Sequence, residues 1–172
     1  MECASDYVVS SYTPTLAALA KARRDWKAIP RSQIAALLIC ESSSGRNHLP
    51  NATDEIFAVQ ECFHAAQAHV LNTTSAHTSC AQVRSLLARS PAHVLHLASH
   101  GVQEKNPLKS SFLLEDGRLT IEDLMAFNLP HAALAFLSAC QTAKGHADAP
   151  DQVVHLAASM LFCGFRSVIG TM

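Results

Sequence analysis

HVLHLASHG, residues His93–Gly101, and LAFLSACQT, residues Leu134–Thr142, decide the fold. Each starts as an apolar run without alternation and then breaks into small and polar residues, the pattern of a strand covered on both faces. The strands are expected over His93–Ser99 and Ala132–Ser138. Working outward, Ile34–Cys40 (IAALLIC) is another such run, His69–Asn72 is a short strand, and Arg166–Met172 begins a further one. Helical spacing fills the gaps. Thr53 or Asp54 is placed to cap a helix bearing Ile56, Phe57, Val59, Phe63 and Ala66. Thr78 or Ser79 opens one bearing Val83, Leu86 and Leu87 that stops near Pro91, and Asp151 caps one running to about Phe162. Such a β-α-β-α-β series folds as a parallel sheet with helices on both sides, so the expected class is α/β.

Between the two deciding strands, Ser111–Thr120 reads as a β-hairpin, with Asp116-Gly117 at the turn to supply a positive φ. Thr120, followed by Glu122 and Asp123, then starts a brief helix through Phe127. Residues 1–30 read as a short helix and connector, and residues 31–172 as one domain. The chain stops inside its last strand, which is read as a domain incomplete at its C-terminus.

Hydrophobic residues make up 49% of the 172 and charged residues 16%, enough to bury a core without disulfide or metal staples. With 13 basic against 14 acidic residues there is no broad field for condensing onto phosphate, so nucleic acid is not expected as a partner. No apolar stretch approaches the ~20 residues of a bilayer crossing. Six dispersed cysteines with no C-x-x-C pair fit free thiols in a reducing compartment, and the expected location is cytoplasmic.

Parallel sheets collect reactive groups at the C-terminal edges of their strands, and both deciding strands end in one. His100 and Gly101 follow one, and Cys140 follows the other. If the strands are neighbours, imidazole and thiol face each other across a short gap. An ordinary thiol with a pKa near ~8.5 is mostly protonated at neutral pH, and a nearby imidazole can take its proton or stabilise the thiolate. Gly101, lacking Cβ, lets a carbonyl approach the backbone, where its N–H and that of Cys140 could form an oxyanion hole. Ten histidines, with His93, His96 and His100 close together, also suggest a metal, but alternation places at most two on one side of the strand. Structural or surface histidines are the better reading. Neither a phosphate-binding loop G-x-x-x-x-G-K-[ST] nor a G-x-S-x-G elbow is present.

HVLHLASHG, FLLEDGRLTIEDL (Phe112–Leu124), LAFLSACQT and DQVVHLAASMLFCGFRSVIGTM (Asp151–Met172) stand in the order and approximate spacing of CHAT domains, which the sequence resembles. These are caspase- and separase-like modules often joined to TPR repeats. The resemblance implies a three-layer α/β/α caspase-like fold with a mostly parallel central sheet and an inserted hairpin. It further implies a cysteine peptidase with His100 as base and Cys140 as nucleophile, no cofactor, and a protein or peptide substrate. TPR or other signalling modules are possible partners in a longer parent chain. Gln141 stands where these domains commonly carry Glu. In relatives such as metacaspases an acidic residue two before the cysteine lines the pocket for a basic side chain. Ser138 holds that position here, leaving Asp148, Asp151 or Glu41 to supply charge. The alternative is a CHAT-like scaffold without catalytic activity.

Overall fold

The computed structural model describes residues 13, 15–24, 27–42, 49–73, 77–89, 92–104, 106–127, 129, 131–138 and 152–170, with only the backbone course described at 72, 73, 152–155 and 157. The elements in chain order are α1 (Leu16–Arg23), β1 (Ala35–Cys40), α2 (Ala52–Ala65), β2 (His69–Thr73), α3 (Cys80–Arg89), β3 (Val94–Ala98), β4 (Gly101–Val102), β5 (Ser111–Leu114), β6 (Gly117–Thr120), α4 (Ile121–Met125), β7 (Leu134–Ser138), α5 (Gln152–Phe162) and β8 (Ser167–Gly170). Five strands form one sheet in the order β2-β1-β3-β7-β8, and every adjacent pair in it is parallel. This is the expected α/β class, with helices on both faces in three layers.

The lack of alternation in β1 has a direct cause. All six of its residues are buried, and five of them divide between two clusters by strand parity. Ala36, Leu38 and Cys40 join Ala52 and Ile56 of α2 on one face. Leu37 and Ile39 join Val83 and Leu87 of α3, Leu124 of α4 and Leu156 and Met160 of α5 on the other. Phe57, expected on the apolar stripe of α2, is instead 59% exposed. It directly follows Ile56, which takes the inward position at 2% exposure.

The ends of the helices correct one expectation, at α2, and decide between two alternatives at α3. The chain enters α2 through a turn in which Ala52 N–H donates to Leu49 O at 3.2 Å, so Thr53 and Asp54 fall inside the first turn and Asn51 occupies the cap. At α3 the capping is done by Ser79, whose Oγ accepts from Gln82 N–H at 3.1 Å. Thr78 is used elsewhere: its Oγ1 donates to Cys40 O at 2.6 Å. The hairpin reaches this same helix end, where Asp116 Oδ1 accepts from Cys80 N–H at 2.6 Å. That anion at a helix N-terminus is favourable, and the Cys80 N–H is the first cause of the lowered Asp116 pKa.

The expected hairpin is present as β5 and β6, but it belongs to a three-stranded antiparallel sheet with β4. Its turn residues are Glu115 and Asp116, while Gly117, with φ 158°, opens β6 opposite Leu114. The expected positive φ of the Asp116-Gly117 pair is present at Gly117. After β6, Thr120 and Asp123 form a capping box: Thr120 Oγ1 accepts from Asp123 N–H at 3.0 Å and Asp123 Oδ2 accepts from Thr120 N–H at 2.9 Å. Thr120→Ala should lower stability by about 1 kcal/mol, read from the urea midpoint, because the first turn of α4 loses its acceptor.

Candidate functional site

β3 and β7 are neighbours. They run parallel with Val94 opposite Leu134 and Ala98 opposite Ser138. His100 lies two residues beyond Ala98, just as Cys140 lies two residues beyond Ser138 in the sequence. Cys140, Asp148 and Asp151 lie outside the described residues. The segment after β3 is held firmly: His100 is 4% exposed, and its carbonyl accepts from Leu113 N–H at 2.8 Å. Because His100 and Leu113 make that bond, the next pair, Gly101 and Phe112, is a non-hydrogen-bonded pair of the ladder. The Gly101 N–H thus lies outside the β4–β5 ladder, directed away from β5.

The structure separates the two described candidates for substrate contact. Glu41, directly after β1, is 0% exposed, its Oε2 accepts from Thr78 N–H at 2.6 Å, and its own N–H donates to Ala98 O at 2.9 Å. It ties the loop before α3 to the end of β1. Ser138 is half-buried at the end of β7, and its Oγ donates to Glu55 Oε2 at 2.6 Å.

Glu55, in the first turn of α2, is the residue that the sequence reading missed. Its other oxygen, Oε1, lies 2.9 Å from His96 Nε2. Among the described residues Nε2 makes no directed hydrogen bond, so the contact is electrostatic. Burial lowers the His96 pKa, and the neighbouring Glu55 carboxylate opposes that shift. The His96 ring stacks on Phe136, its neighbour in register, with centroids 4.8 Å apart and planes 7° from parallel. His93 is structural as well: its Nδ1 accepts from Ala35 N–H at 3.1 Å.

A family model described as CHAT domain matches residues 2–172. The chain belongs to the CHAT domain family. Membership relates it to caspase-like peptidases, and the observed three-layer architecture agrees with that relation. A comparison with curated proteins finds no match.

In this CHAT domain the described cysteines differ sharply in their surroundings. Cys163 is buried and desolvation pushes its thiol up to about 12. Cys80 is pushed up to about 11, by burial first and then by Asp116. Burial also raises Cys40, and Cys62 is exposed. Thiols held that high carry almost no thiolate at neutral pH and are poor nucleophiles. Among the described residues no group of three or more His, Cys, Asp or Glu is arranged to hold a metal ion. No helix among them is long and apolar enough to cross a membrane.

Proposed function

We propose that this CHAT domain is a cysteine-type endopeptidase acting on protein or peptide substrates through Cys140 and His100. The observation that carries the reading is the β3–β7 pairing: parallel, adjacent and level at Ala98 and Ser138, it ends two strands side by side immediately before the imidazole and the thiol. In the proposed sequence His100 accepts the thiol proton and the Cys140 thiolate attacks the scissile carbonyl. The oxyanion is held by the N–H groups of Gly101 and Cys140. His100 then protonates the departing amine, and water hydrolyses the thioester to release the acid and regenerate the thiol. The Gly101 N–H supports this role because the ladder leaves it unused. Ser138, Asp148 and Asp151 are proposed as substrate-side residues.

The test is labelling by a peptide bearing a thiol-directed electrophile, compared between wild type, Cys140→Ala and Cys163→Ala. Labelling should vanish in Cys140→Ala and persist in Cys163→Ala, consistent with the high pKa of the buried Cys163 thiol. Persistence in Cys140→Ala with loss in Cys163→Ala would remove the nucleophile assignment. A folded wild type that is not labelled at all would favour a CHAT-like scaffold without catalytic activity.

A further inference from the structure

Three polar side chains from three elements meet near the ends of β3 and β7. Glu55 reaches from α2 to Ser138 Oγ at 2.6 Å and to His96 Nε2 at 2.9 Å. One of these partners is on β7, two residues before Cys140, and the other is on β3, four residues before His100. The rest of this sheet face is apolar, with Ala36, Leu38, Ala98 and Ile56 forming its core. Apolar packing would cover that face without the cost of desolvating a carboxylate. A carboxylate adds direction: its two oxygens engage two strands at once, and the His96–Phe136 stack stiffens the same strand pair one step further in.

We infer that Glu55 is a positioning residue, bridging Ser138 and His96 so that the end of β7 is fixed against the end of β3 and the separation of Cys140 from His100 is set. The inference rests on the peptidase reading above, in which that separation matters. With its side chain 33% exposed, Glu55 sits at the rim of the packed layer, and its removal does not hollow out the interior.

The test is the rate of Cys140 alkylation by iodoacetamide at pH 7, followed by mass spectrometry of the peptide containing it. Exposed Cys62 serves as the internal reference. Wild type is compared with Glu55→Ala, Glu55→Gln, Ser138→Ala and His100→Ala. A displaced imidazole returns the thiol towards ordinary reactivity, so Glu55→Ala should slow Cys140 about tenfold while leaving Cys62 unchanged. Glu55→Gln, whose amide oxygen still accepts from Ser138, should recover most of the rate. Because the two residues act as one unit, Glu55→Ala with Ser138→Ala should be no slower than Glu55→Ala alone. A purely structural role would lower the urea midpoint without changing the ratio of Cys140 to Cys62 rates. The inference is overturned if Glu55→Ala reacts at the wild-type rate while His100→Ala is slowed. If His100→Ala also leaves the rate unchanged, the dyad and the positioning role fall together. Should Glu55→Ala not fold, Ser138→Ala is expected to show the same slowing, and a wild-type rate there is equally fatal.

Discussion

Cys140→Ala should reduce hydrolysis of a susceptible peptide to background, and His100→Ala should lower kcat by about 10²–10⁴-fold, the usual contribution of a positioned acid–base group. The asymmetry follows from the roles. Without sulfur no thioester forms, whereas without imidazole a small thiolate fraction still attacks and the amine leaves without its proton donor. Both variants should still unfold in one cooperative urea transition if the loss is chemical and the fold is intact. A His100→Ala variant with wild-type kcat would show that the imidazole at the end of β3 serves packing alone.

Glu41→Ala should act in the opposite way, on stability and not on selectivity. Thr78 is 0% exposed, and its N–H donates to Glu41 Oε2 at 2.6 Å, so truncating the acid leaves a buried donor without that acceptor. The expected loss is about 1–3 kcal/mol by urea unfolding. Glu41→Gln, which keeps an acceptor oxygen, should lose less. If Glu41 instead held a basic substrate side chain, Glu41→Gln would reduce the preference for arginine over leucine peptides with stability unchanged. That pattern would show Glu41 to be a substrate-side residue.

The strands were legible in the sequence because burial on both faces leaves a continuous apolar signature. IAALLIC and VLHLA read correctly for that reason, and their ends shifted by only a residue or so. The adjacency of β3 and β7 was not legible, since periodicity says which residues are covered and nothing about which strand lies beside which. The pairing had to come from the fold. The Thr78–Glu41 contact was not legible for a related reason: a threonine before a helix and an acid after a strand have standard local uses, and here each is engaged by the other across 37 positions of chain. Glu55 was hidden because an acid in a first helical turn already has an ordinary explanation in the helix dipole. The available clue was parity. Phe136 and Ser138 share one face of β7, opposite His96 and Ala98 in register, so a polar Ser138 and a polar His96 on a covered face required a polar partner from the helix above.

The relation between thiol and imidazole is measured most directly by the apparent pKa of Cys140, obtained from its site-resolved alkylation rate as a function of pH in wild type and in His100→Ala. An imidazole within proton-exchange distance should hold the wild-type thiol clearly below the ordinary ~8.5, with a return towards that value in His100→Ala. A Cys140 that titrates at or above the ordinary value in wild type, with no change when His100 is removed, would contradict the dyad.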